Sequence, residues 1–571
     1  MRWLTILVLF GALIPACAGG SAHIPSASPT SESTTSGADG ESITNVQEQG
    51  VDEGGIVKMH GEHLVVLRRG RLFSVDLADA SMRVVSILDV SAPGHHRADW
   101  YDEMLIHDDT IVVIGFSYRD SATELGLFHV DAGGNLSHRA TFQLRSNDYY
   151  SSRNYASRLV DDRLVLYIPH RLGSAERTSY PALREVGHEW AEIRGPARAA
   201  NPTDMRGSSV LHTVVMCELG DDALGCRAQG MIGGEGRSFY VSRDAVYVWI
   251  AERSSHDGRP SDAAVFRMPL AGGETGAVRA WGMPTDQLSF EEDGATLHVL
   301  VRSHGVGDGM WGAERGATPL ALASIPLASF GAVARQVDPT TYTPLPALGS
   351  DAPLQNRFVG EYVLYGGGDS WGFWGQRTEG ALYAHPFRRG GATTRIEVGH
   401  GIERIEAMGR AAVAIGSEDG DLSFSSIALE GGPAVVDRVI MPGASQGETR
   451  THGFFYRNDG EDLGVLGLPI RGGGAPGWAQ LRHGSASVQF LRVRSARFSS
   501  LGALAASDGG TVDDRCVASC ADWYGNARPI FWRGRVFALL GYELVEGRMG
   551  RSGLEETARL SLWNREIAFG R

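Results

Sequence analysis

The stretch HLVVLRRGRLFSVDL, residues 63–77, decides the fold. An apolar run on one side of an Arg-Gly bend faces a second run in which apolar and polar residues partly alternate, and neither run is long enough to establish a helical period. Such a pair reads as a β-hairpin with period-two alternation and a glycine-bearing loop. The same unit recurs at 111–131, 245–270, 296–327, 361–387, 411–429, 453–470 and 535–562, and a half-match, RLVLYIPH, begins at Arg163. A further strand often follows, as in MRVVSILDV after the first hairpin and AVVDRVIM after the sixth. Successive starts lie mostly 42 to 65 residues apart, with two gaps near 80 that can hold insertions or one extra unit. Four strands per unit at this spacing predict an all-β fold, a β-propeller of four-stranded antiparallel blades. About eight blades are expected, with seven as the alternative.

Composition agrees. The 571 residues include 75 glycines and 23 prolines, which suits many turns and few long helices. A net charge of −14 argues against nucleic acid as a partner, because phosphate binding needs clustered positive charge.

The N-terminus carries an address. MRWLTILVLFGALIPAC has one positive charge at Arg2 and then an apolar run too short for a stable membrane span. IPAC resembles the bacterial lipoprotein processing box, in which the cysteine is lipidated and becomes the first residue. Residues 1–16 therefore read as a lipoprotein signal peptide, with Cys17 as the acylated residue. Residues 17–43, rich in Ser, Thr and Gly, have too little apolar surface to fold and read as a tether. Residues 44–571 form the propeller domain. Plain secretion is the alternative.

Four cysteines remain. In an exported chain their even count predicts two disulfides, Cys217–Cys226 and Cys516–Cys520, each closing a small loop. No CxxC motif or paired histidine spacing beside them suggests zinc.

TNVQEQGVDEGGIVKMHG (44–61), followed by LVVLRRGRLFSVDL, resembles the start of a family of bacterial secreted proteins. These carry a β-propeller domain distantly related to WD-repeat propellers. WYDEMLIHDDTIVVI (100–114) and SRNYASRLVDDRLVLYI (152–168) are similar to later blocks of the same family. The resemblance implies fold and address and no particular activity.

Lys58 is the only lysine among 53 basic residues. It follows Asp52 and Glu53 closely, on what reads as the inner strand of the first blade. An ammonium fits a narrow space better than a planar guanidinium. Lys58 is therefore expected to enter the central channel or a neighbouring crevice and pair with Asp52 or Glu53, pinning the N-terminal segment. The competing reading is an ordinary lysine on a solvated strand.

Signals for catalysis are weak. GASQG (443–447) offers Ser445 in a G-x-S-x-G pattern, but a strand follows where the mechanism needs a helix. HEWAE (188–192) has Glu192 where a metalloprotease needs its second histidine. His95, His96 and Asp99 in GHHRAD read as a solvated loop. SEDGDLS (417–423) and RNDGEDLG (457–464) lack the long ligand spacing of a calcium loop and read as hairpin turns. Two glycine-rich loops stand out as binding candidates: GVGDGMWG (305–312), with Asp308 and Trp311, and GGGDSWGFWG (366–375), with Asp369, Trp371 and Trp374. Both link the strands of a hairpin in neighbouring repeats and should emerge on one face. The plainer reading has these tryptophans folded back against blade edges.

Together these features predict an exported, lipid-anchored propeller of the bacterial cell envelope, acting as a non-catalytic binding or assembly scaffold. Its partner would be an envelope protein or a glycan. The alternatives are a hydrolase or lyase with an active site at the channel mouth, a cofactor-dependent oxidoreductase, or a glycan-binding protein. Nothing in the sequence calls for a cofactor or metal, and the Trp-docking repeats of quinoprotein blades are missing.

Overall fold

Tight bends begin the architecture. Arg69–Gly70, Asp419–Gly420 and Arg533–Gly534 all have positive φ at both positions, so each joins two strands whose right-handed twist it matches. The computed structural model describes residues 45–562, apart from 79–80, 148–156, 173–179, 202–208, 221–222, 252–259, 306, 308–318, 349–352, 369–379, 449, 473–485 and 508–526. Among the described residues there is no α-helix, only four short 3-10 turns, and so none is long and apolar enough to cross a membrane.

The strands of the described residues form nine sheets in chain order, antiparallel but for short added strands at 197–199 and 335–336, spanning 57–89, 100–145, 157–233, 236–281, 283–345, 354–397, 404–441, 445–505 and 527–561. The molecule is a nine-bladed propeller, one blade more than the upper expectation. The extra blade is the third. Its first hairpin is the half-match at Arg163, and its third strand, Val210–Leu219, is delayed by an insertion over 172–209. That delay accounts for one gap near 80 residues. The other precedes the ninth blade and holds the connection 506–526.

Every pair of neighbouring blades is joined by one apolar cluster. The last of these closes the ring: Trp532 and Phe537 of the ninth blade meet Leu64 and Phe73 of the first. The first blade takes all four strands from 57–89 and the ninth from 527–561, so no strand is exchanged at the seam. Side chains carry the closure, helped by Arg533 paired with Glu62 at 2.5 Å and by Arg68 over the Tyr542 ring at 4.9 Å.

The insertion in the third blade also clasps its neighbours. Ala182–Glu185 adds to the outer strand of the second blade, while Ala197–Ala199 adds in parallel to the outer strand of the third. The guanidinium groups of Arg145 and Arg184 lie 4.6 and 4.3 Å from the centre of the Trp190 ring. These additions cover strand edges that would otherwise be open to pairing with another chain.

Up-and-down blades fix which end each connection leaves from. Links between second and third strands, and from an outer strand to the next blade, leave from one end. That end carries the long connections 172–209, 252–261, 303–319, 368–380, 472–485 and 506–526. At the opposite end, the turns between first and second strands are two or three residues long. The disc is therefore two-faced, with one loop-bearing end.

Candidate functional site

Inner strands of nine blades enclose a wide channel. Residues 45–55 run into it. Glu53 pairs with Arg158, and Asp52 with Leu159, on the inner strand of the third blade. A turn at 48–51, closed by Val51 N–H donating to the Glu48 carbonyl, brings the preceding residues back alongside. Each then meets a different blade. The Asn45 amide donates to Glu406 Oε2 in the seventh blade and to the Thr451 carbonyl in the eighth, both at 3.1 Å. Arg357 in the sixth donates to the Val46 carbonyl at 3.4 Å. Gln47 donates to the carbonyls of Gln287 and Phe290 in the fifth, and Tyr240 O–H in the fourth donates to Glu48 Oε1. The segment is an internal plug.

Two blades reach inward to hold it. In the fifth and eighth, a 3-10 turn interrupts the inner strand, at Gln287–Ser289 and Thr451–Gly453. Both turns grip Glu53. The Gln287 amide donates to Oε1 at 3.5 Å, and His452 Nε2 lies 3.0 Å from Oε2. Arg158 Nε stands 3.9 Å from Oε1. Gly54 shows how closely the plug fits: a Cβ there would stand 2.5 Å from Ser157 Oγ and 2.7 Å from Glu103 Oε2. The first glycine of the pair in VDEGG thus answers a need for close approach.

Charge in the channel is arranged in pairs. Arg404 meets Glu406 at 2.9 Å, Arg528 meets Glu448 at 3.2 Å, and Arg450 meets Asp102 at 3.6 Å, all buried. Burial by itself raises the Glu53 carboxyl, but Arg158 and His452 outweigh it and hold it down at about 2. Glu48 goes the other way. Burial first, then the neighbouring Glu291 and Glu292, push it up to about 8 against the opposing effects of Tyr240 and Arg357. Burial keeps His452 below the ordinary histidine range despite its carboxylate neighbour. The arrangement neutralises charge locally and leaves the plug as a bound part of the wall.

Lys58 is 5% exposed; its Nζ lies 2.6 Å from Asp52 Oδ1 and 2.8 Å from the Glu53 carbonyl. The channel also accommodates buried Arg158, Arg357, Arg404, Arg450 and Arg528, so channel width in general does not exclude guanidinium. What distinguishes Lys58 is its own pair of partners, Asp52 and the Glu53 carbonyl. Cys217 and Cys226 face each other on adjacent strands of the third blade and are disulfide-bonded. Cys17, Cys516, Cys520, Asp308, Trp311, Asp369, Trp371 and Trp374 lie outside the described residues.

The weaker motifs take ordinary places. Ser445 sits in the extended pair Ser445–Gln446, which joins the Arg471 end of a strand and forms no strand-to-helix elbow. His188 is exposed on the clasp. Asp419–Gly420 is a two-residue hairpin bend. Among the described residues no group of three or more His, Cys, Asp or Glu side chains could hold a metal ion. The plug's partners were not legible beforehand. The available signal was the polar QLS and THG turns standing where an inner strand was due.

Residues 41–318 match the family model described as the beta propeller domain. That segment spans the first four blades and the start of the fifth. No curated protein matches the chain. Among solved structures, Saccharomyces cerevisiae Sqt1 is similar at 10% identity, over 80% of this chain and 93% of that one, with a TM-score of 0.34. The β-propeller domain of the Trilobed protease from Pyrococcus furiosus is similar at 9% identity, over 69% and 96%, with a TM-score of 0.27. Pyrococcus horikoshii acylaminoacyl peptidase is similar at 11% identity, over 73% of this chain, with a TM-score of 0.28. The match covers only 57% of that peptidase. The propeller's likeness to these chains carries no activity over to it.

Proposed function

We propose that this propeller is a non-catalytic binding scaffold, exported and lipid-anchored in the bacterial envelope, that meets an envelope protein or a glycan through its loop-bearing end. One observation carries the reading. The channel, where a propeller hydrolase or lyase would seat its substrate, is occupied by residues 45–55, whose polar groups bind the inner walls of several blades. Binding then falls to loops displayed on a rigid disc, and the long connections share one end. The acyl anchor at Cys17, followed by a tether, belongs to the same reading.

The test is cross-linking in intact cells of the full chain and of a variant with 252–259, 308–318 and 369–379 each replaced by a short Gly-Ser bend. The scaffold reading expects a defined set of partners that the variant loses while melting unchanged. Equal capture by both proteins overturns it. A Cys17→Ser variant that stays membrane-bound removes the anchor.

A further inference from the structure

A cavity of about 370 Å³ opens at the loop-bearing end, where the second, third and fourth blades meet. Its lining includes Phe116 and Tyr118 from the second blade, Asn147 just after that blade's outer strand, Arg171 from the third, and Glu235 and Arg237 at the start of the fourth. The volume lies in the range of small-ligand sites.

The walls are held from several sides. Phe116 stacks on Trp100 at 6.1 Å and meets Tyr118 edge-on at 5.1 Å, while the Tyr118 backbone N–H donates to Asp99 at 2.7 Å. Tyr118 is nevertheless 58% exposed, so a stacking surface faces outward on a fixed base. Asn147 ties two blades together. Its N–H donates to the Pro169 carbonyl, and its side-chain oxygen accepts from the Arg171 N–H at 2.8 Å. Behind the lining, fully buried His212 uses Nε2 to reach the Gly234 carbonyl at 2.8 Å. Burial, then the nearby Arg237 charge, keep that imidazole neutral, with its pKa lowered to about 3. That histidine therefore adds no cation beside Arg237 near neutral pH.

The chemistry is uneven. Two guanidinium groups and one carboxylate border an aromatic ledge. A carboxylate matches the planar fork of arginine. A ring with an apolar face matches an exposed tyrosine supported by a second aromatic. Hydroxyl groups on the ring would find Glu235 as acceptor and the Asn147 amide as donor. Resting on the binding-scaffold reading above, we infer that this cavity holds a uronic-acid ring, its carboxylate on Arg171 and Arg237 and its apolar face on Tyr118.

Calorimetric titration of the full chain with sodium glucuronate tests this, with glucose and acetate as controls at matched ionic strength. Glucuronate should bind at least tenfold more tightly than either control, since glucose lacks the charge and acetate the ring. Arg171→Gln and Tyr118→Ala alter exposed side chains, and each should weaken glucuronate about tenfold, the scale of one charged hydrogen bond or stacked ring. Unchanged melting curves establish that both variants are folded. Acetate binding as well as glucuronate, variants binding like wild type, or no heat with any probe each overturns the inference. Loss of partner capture in the loop-shortened protein, together with a silent titration, sinks this site and leaves the scaffold reading standing.

Discussion

His452 and Glu53 meet inside the channel at 3.0 Å, although 399 residues separate them in the chain. With Glu53 ionised, the imidazole Nε2–H donates to the carboxylate. The contact ties the N-terminal plug to the eighth blade, while Arg158 ties the same carboxylate to the third. Removing one member of such a buried set leaves the others uncompensated, which typically costs about 3–5 kcal/mol. Glu53→Gln should therefore lower stability by about 3 kcal/mol near pH 6, measured by urea unfolding.

Acid should narrow that difference. The folded Glu53 carboxyl sits near 2, below its ordinary 4.5. Its contribution is thus complete above pH 4.5 and disappears as pH falls through about 2. Wild type should lose stability faster than Glu53→Gln across that window. His452, held low by burial, adds a separate loss in both proteins once pH drops below about 6.5. Parallel curves from pH 5 to 2 count against an ionised, paired Glu53.

Glu48 gives the opposite slope. Its carboxyl faces Tyr240, Glu291, Glu292 and Arg357, and it is raised to about 8 in the folded chain. A raised folded value means that stability is full below 4.5 and falls as pH rises through about 8. Glu48→Gln keeps an oxygen for the Tyr240 hydroxyl but cannot ionise. At pH 4.5 the two proteins should unfold at the same urea concentration. By pH 8.5 the variant should be more stable by about 1–2 kcal/mol, a figure discounted for the partial exposure of Glu48. A variant that is less stable at every pH would falsify the proton linkage.

The blades were readable in the chain because each hairpin writes short apolar runs bounded by turn residues, as AVYVWIA does at 245–251, where the strand is buried throughout. The third blade was half hidden, since its hairpin at Arg163 is separated from Val210 by the clasp that covers two sheet edges. The plug was hidden further. Asn45 finds Glu406 361 residues away, and Gln47 finds the Gln287 carbonyl 240 residues away. Pairings of that kind leave no periodicity in the segments that make them. Composition singled out Lys58 and said nothing of the glycines before it, and the approach of Ser157 and Glu103 is what explains Gly54.

Lys58 is where that local oddity and the long-range plug meet. The ammonium holds Asp52 Oδ1 at 2.6 Å and the Glu53 carbonyl at 2.8 Å, so one side chain of the first blade grips the plug's outgoing strand. Lys58→Met removes both bonds but keeps the apolar stem. Asp52 is about one-third exposed and can rehydrate, so the loss should be modest, about 1–2 kcal/mol. Lys58→Arg keeps the charge but forces a wider, planar group into a site only 5% exposed. Overfilling such a site costs about 1–3 kcal/mol. Both variants should therefore unfold at lower urea than wild type, the arginine despite its conserved charge. If arginine matches wild type while methionine does not, charge alone keeps the plug in place and the shape of the slot is irrelevant. If both match wild type, Lys58 does not hold the plug.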